Sequence, residues 1–81
     1  MMKHGYVIIA RDYVAEICEF ETLTVIQMPD GTKLYFIHTK FGDNYYPEEN
    51  LSATRESLEK ECAELNKALR GSDARSNSKA H

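Results

Sequence analysis

Apolar and polar positions divide this chain into three zones. Residues 5–50 are rich in Val, Ile, Tyr, Phe and Thr, the β-branched and aromatic types that suit strands. Tyr6-Val7-Ile8-Ile9-Ala10 is a short apolar run, the length of one strand, and Arg11-Asp12 reads as a turn or bend. From Tyr13 to Glu21 the alternation is imperfect. Val14, Cys18 and Phe20 share one face, Ala15 and Ile17 the other, and Glu16 interrupts the first. Leu23, Val25, Ile26 and Met28 then resume the apolar pattern in a changed register. A face switch inside one long strand predicts a bulge or sharp bend.

The strongest local signal is Met28-Pro29-Asp30-Gly31-Thr32. Proline presets φ for a turn, aspartate bonds its own backbone, and glycine accepts positive φ. It lies between Thr24–Met28 and Thr32–Thr39, so a hairpin is expected. In the second of these strands Leu34, Phe36 and His38 share one face, and Tyr35, Ile37 and Thr39 the other. Both faces are apolar near the centre, as in a central strand. Phe41-Gly42-Asp43-Asn44 is a further turn. Tyr45-Tyr46 begins a short last strand, which Pro47 restricts to an edge.

The second zone predicts a helix over 55–70. Thr54 stands at its N-cap, and Gly71 stands at the position just past its end. Leu58, Cys62, Leu65 and Leu69 form one stripe at spacings of four, three and four. The third zone, 71–81, is small and polar and reads as a disordered tail; residues 1–4 read as a flexible N-terminus. The expectation is one α+β domain over 5–70. It is a small bent antiparallel sheet, SH3-like in outline, capped by one C-terminal helix. An open meander with the helix across it is the alternative.

Charge changes the picture of partners. The chain carries 10 Lys and Arg against 13 Asp and Glu, a net charge of −3. Within residues 1–53 only Lys3, Arg11, Lys33 and Lys40 are basic, against eight acids, so the body repels phosphate backbones. An acidic small domain fits a basic protein surface. No apolar stretch has the length of a secretory signal or a membrane span. The two cysteines, Cys18 and Cys62, form no CxxC pair. The chain therefore reads as cytoplasmic with free thiols, a monomer or weak homodimer.

Little chemistry is encoded. Cys18 and Cys62 lie on apolar faces, where a free cysteine acts as a small hydrophobe. His4, His38 and His81 match no metal-ligand spacing, and no glycine-rich phosphate loop exists. No cofactor, metal or catalytic residue is expected. The tyrosines and phenylalanines remain, most of them needed by the core. Tyr45 and Tyr46 are neighbours on a strand and point to opposite faces, so one of them is exposed.

The order of parts is a short strand, a long bent strand and a hairpin. Leu34-Tyr35-Phe36-Ile37, Tyr45-Tyr46 and Glu49-Asn50-Leu51 come next, and Ala53-Thr54-Arg55-Glu56 opens an amphipathic helix. This layout resembles small SH3-like barrel proteins with an appended helix that are common in phages, prophages and other mobile elements. The resemblance implies a non-enzymatic accessory or inhibitor acting by direct protein binding. It implies no site residues. The residues themselves suggest two contact segments, the acidic strand with Glu16, Glu19 and Glu21, and the turn segment with Asp43, Tyr45, Tyr46, Glu48 and Glu49. The alternative is a nucleic-acid-associated module using Lys33, Lys40, Arg55 and exposed tyrosines.

Overall fold

Strand β1 (His4–Arg11) turns back into the long strand β2 (Val14–Gln27), which leads to β3 (Lys33–Thr39) and β4 (Gly42–Pro47). A 3-10 turn, Glu48–Asn50, precedes the two-residue strand β5 (Leu51–Ser52) and the helix α1 (Glu56–Lys79). This computed structural model describes residues 2–79, with side chains through residue 71. The strands form one antiparallel sheet in the order β4-β3-β2-β1-β5. The α+β class read from the sequence is the class observed. The expected barrel closure is not: β4 and β5 are opposite edges of an open sheet. The strand after the 3-10 turn was not anticipated, because two residues carry no periodicity.

The bend in β2 is a bulge. Thr22 pairs with Ile37 and Thr24 with Phe36, which leaves Leu23 as the extra residue. Before it, Glu16, Cys18 and Phe20 point to the inner face; after it, Val25 does. This is the face switch that the apolar pattern required. The inner face holds Val7, Cys18, Phe20, Tyr35, Ile37 and Leu51, all buried, with Met2, Ile9, Val25 and Tyr46 packed against them. Gly5 lies among them for a steric reason: a Cβ there would stand 2.4 Å from the Ser52 carbonyl oxygen. Only glycine lets β5 approach β1.

Two turns differ in their chemistry. Pro29-Asp30-Gly31 forms the expected hairpin, with Asp30 Oδ1 accepting from Thr32 N–H at 3.0 Å and Thr32 Oγ1 at 2.6 Å. Those bonds hold the Asp30 carboxyl below its usual pKa. Between β1 and β2 the bend is a two-residue turn, with Asp12 at φ 51° and Tyr13 at φ 66°. Positive φ at both central positions is the type I′ pattern, usually served by Asn-Gly.

Of the expected flexible segment 1–4, Met2 and Lys3 are bonded to β2 and His4 begins β1, while residue 1 lies outside the described residues. Thr22 Oγ1 donates to the Met2 carbonyl at 2.6 Å and Thr22 N–H to the Lys3 carbonyl at 2.6 Å. At the other end, α1 begins at Glu56 and runs through Gly71 to Lys79, past the expected stop at Arg70. Glycine inside a helix costs about 1 kcal/mol, less than a break, and no proline follows to end it. The expected tail therefore reaches helix as far as residue 79; residues 80 and 81 lie outside the described residues. In the stripe, Leu58 and Cys62 are buried, whereas Leu65 and Leu69 are half-buried.

Candidate functional site

The outer face of the sheet follows from the register. Opposite the core-facing positions stand Ile26, Leu34, Phe36, Tyr45 and Pro47, placed side by side by the pairs Ile26↔Leu34, Leu34↔Pro47 and Phe36↔Tyr45. Phe36 and Tyr45 stack with ring centroids 4.6 Å apart. Tyr45 is 49% exposed and Ile26 41%. Isolated exposed apolar residues are ordinary on a surface, but here they form one strip without cover among the described residues.

One cross-strand row further along, the same face turns polar. His4 pairs with Glu21, Glu21 with His38, and His38 with Asp43, across four strands. His38 Nδ1–H donates to Asp43 Oδ1 at 2.5 Å, the carboxylate being able only to accept. Glu19 stands two positions from Glu21 on the same face and is exposed. The geometry thus sets a patch of aromatic and aliphatic side chains against a row with acidic character.

The residues singled out in the sequence separate into two groups. Glu19, Glu21, Asp43 and Tyr45 come together on the outer face. Glu16 does not join them: it stands on the inner side at the rim of the core, where its carboxylate accepts from Lys40 Nζ. Tyr46 is half-buried against the core. Glu48 accepts from the Tyr35 hydroxyl at 2.7 Å, and that bond, with burial, raises the Tyr35 pKa above its ordinary value. Glu49 lies in the 3-10 turn with Pro47 and Leu34 nearby, lining a groove of about 350 Å³. Sequence reasoning missed Ile26, Leu34 and Phe36 as surface residues. The apolar character of both strand faces at β3 pointed to burial on both sides, whereas Tyr35 and Ile37 are buried and Leu34 and Phe36 only half-buried.

Of the cations of the alternative reading, Lys40 and Arg55 line one groove with Glu16 and Glu19, while Lys33 stands at the opposite end of β3. Lys40 is engaged by Glu16, and Arg55 Nη1 reaches the Ile17 carbonyl at 3.5 Å. Arg11 and Lys40 both approach the Phe41 ring, at 4.6 and 5.3 Å from its centroid. Burial is the first cause, and the nearby Glu16 charge the second, of a raised Cys18 thiol pKa, which disfavours a thiolate. Among the described residues no group of three or more His, Cys, Asp or Glu side chains is placed to hold a metal ion. No helix among them is long and apolar enough to cross a membrane.

Comparison with protein-family models, curated proteins and solved structures finds no match to this chain.

Proposed function

We propose that this protein is a small non-enzymatic interaction module that binds another protein through the outer face of its sheet. The observation that carries the reading is the stack of exposed Tyr45 on half-buried Phe36, flanked by Ile26 and Leu34 and bordered by Glu19, Glu21 and Asp43. Interfaces draw their binding energy from aromatic anchors in an apolar centre with a polar rim, and this face has both parts. The acidic rim selects a partner with a basic surface.

The strand order β5-β1-β2-β3-β4, with a 3-10 turn before the last strand, supports an SH3-like reading of the open, bulged sheet. With that reading goes the proposal of an accessory or inhibitor of phage or mobile-element origin, acting in the cytoplasm.

The test is affinity capture from host lysate with the wild-type chain and with Ile26→Ser/Tyr45→Ala. Both side chains are exposed, so the variant keeps its fold, which an NMR spectrum verifies. A captured protein with a basic surface that the variant no longer holds supports the reading. Equal capture by both chains overturns it.

A further inference from the structure

We infer that the free edge of β4 pairs with the β4 edge of a second copy of this chain, antiparallel and centred on Tyr45, joining the two outer faces into one. The inference concerns the strand edge, not the face, and stands whether or not a basic protein docks on that face.

Thr39 and Gly42 close the β3–β4 hairpin across two residues, so that pair is hydrogen-bonded. Bonded pairs alternate from there. Asn44 and Tyr46 direct their backbone groups to β3, while Asp43, Tyr45 and Pro47 direct theirs away from it. Two observations agree with this. Pro47, which has no N–H, stands where β3 requires none. Tyr45 N–H donates to Asn44 Oδ1 at 2.8 Å and not to β3. β4 is the last strand of the sheet on its side. The open stretch of β2 is covered by α1 through Asn66. Along β4, Asn44 covers a single N–H, and among the described residues no other element bonds the outward groups.

The edge offers N–H and C=O at Asp43 and at Tyr45, and C=O alone at Pro47. A second copy answers that pattern. With Tyr45 opposite the second copy's Tyr45, the two residues exchange a pair of hydrogen bonds, and each Asp43 N–H meets the opposite Pro47 carbonyl. The missing proline N–H is required only by the Asp43 carbonyl, which stays open to water. Other registers are poorer. Tyr45 opposite Pro47 halves the bonds. Asp43 opposite Tyr45 sets the two aspartates on a diagonal of about 7–8 Å, and Asp43 opposite Asp43 sets like charges face to face. The Tyr45-centred register keeps the aspartates apart. It also continues the Phe36–Tyr45 stack into the same stack of the second copy, and cross-strand aromatic pairs favour strand pairing. The charged groups flanking the edge are Asp43, engaged by His38, Lys40, engaged by Glu16, Glu48, engaged by Tyr35, and Glu49 in the 3-10 turn. Two costs oppose the pairing. Asn44 must release Tyr45 N–H, and both copies carry a net charge of −3. Short edges bury less than about 1,000 Å², so the dimer is weak.

The experiment is sedimentation of the full chain at concentrations up to about 1 mM, where weak contacts become populated. The wild-type mass should rise toward that of a dimer, and added salt should strengthen the rise by screening the like net charges. Asn44→Ala frees Tyr45 N–H in both copies and should tighten the dimer about tenfold. Tyr45→Ala keeps the backbone groups and loses the ring, so it should weaken the dimer about threefold. Tyr45→Pro removes the N–H as well and should abolish it, since proline is tolerated where a strand N–H faces outward. NMR spectra verify the fold of each variant, and concentration-dependent shifts in the wild type should centre on residues 43–47. A wild type that stays monomeric throughout overturns the pairing. So does a Tyr45→Pro dimer as tight as that of Tyr45→Ala, or an Asn44→Ala dimer no tighter than wild type. These measurements use the chain alone, so capture of a basic partner by the outer face keeps its separate test.

Discussion

Asn66 on α1 holds both backbone groups of Ala15 on β2: its Oδ1 accepts from Ala15 N–H at 2.7 Å, and its Nδ2 donates to the Ala15 carbonyl at 2.9 Å. The two-residue turn after Arg11 explains why those groups are available. Arg11 pairs with Val14, and hydrogen-bonded pairs alternate along antiparallel strands, so Ala15 and Ile17 direct their backbones away from β1. On that side β3 pairs only from Glu21 onward. The helix fills the gap with side chains, Asn66 at Ala15 and Arg55 at Ile17. An open strand edge is thereby covered, which also guards against pairing with another chain.

Asn66→Ala should therefore destabilise the fold by about 1–3 kcal/mol, the cost of leaving partly buried groups unpaired. Asn66→Asp keeps the acceptor for Ala15 N–H and loses the donor to the carbonyl. In hydrogen exchange it should preserve protection of the Ala15 amide while still lowering stability. Denaturant unfolding of the two variants measures the cost. Wild-type stability in both would mean that the helix is not docked at this edge.

Gly5→Ala should cost about 2 kcal/mol, because the new methyl meets a backbone oxygen that cannot rotate away. The loss is local to the β1–β5 pairing. NMR contacts between Val7 and Leu51 should weaken while those between β2 and β3 remain.

Tyr13→Gly is expected to stabilise the protein by about 0.5–1 kcal/mol. A non-glycine residue at positive φ is held about 1–2 kcal/mol above its preferred conformation, and part of that gain is offset by glycine's greater freedom in the unfolded chain. Tyr13 is 68% exposed, so its ring gives up little burial. A thermal melt decides: a lower midpoint would show that the ring contributes packing.

How much of this was legible in the sequence depends on whether an element is set by its own residues. The Pro29-Asp30-Gly31 hairpin, the face switch at Leu23 and the edge position of β4 each follow from local chemistry, and each was readable. The β1–β2 turn was only partly so, since Asp-Tyr lacks the glycine that marks a type I′ turn. Openness of the sheet is a long-range property: whether β4 reaches β5 depends on twist accumulated over every strand. The site divided in the same way. Alternation placed Glu19 with Glu21 and separated Tyr45 from Tyr46. The engagement of Glu16 by Lys40 spans 24 positions and has no signature in either segment.

Tyr35 links stability to alkaline pH. Its hydroxyl proton is held by Glu48, and its ring is only 1% exposed, so the phenol ionises at higher pH in the folded chain than in the unfolded one. A raised pKa means that the folded state binds the proton more tightly. The stability gained is complete below the ordinary tyrosine value near 10, and it is lost as pH rises through the folded value. Denaturant unfolding above about pH 10 should show wild-type stability falling. Tyr35→Phe should fall less steeply, while losing about 1 kcal/mol at neutral pH with the hydrogen bond. Parallel curves would mean that other groups govern the alkaline limb.

The last expectation separates the two faces. Glu19 and Glu21 are both exposed on the outer face, about 7 Å apart along β2, and neither has a side-chain partner among the described residues. Glu16, three positions before Glu19, faces the other way and is paired with Lys40. Two like charges on one face repel when free, and a basic partner relieves that repulsion. Glu19→Lys/Glu21→Lys should therefore slow association with a captured partner more than it speeds dissociation. Opposed charges act mainly on the encounter, and added salt should shrink the difference. Glu19→Gln and Glu16→Gln each remove one negative charge from the same strand, so that pair controls for net charge, and Glu16→Gln should leave association nearly unchanged. Stability should move little in the double reversal, since exposed charges contribute little to folding. Association rates measured by surface plasmon resonance over a salt series decide between contact and mere solubility. If Glu19→Gln and Glu16→Gln slow association equally, only net charge matters, and the acidic rim is a soluble strand edge. If Glu16→Gln is silent and Glu19→Gln is slow, the partner meets the sheet on its outer face.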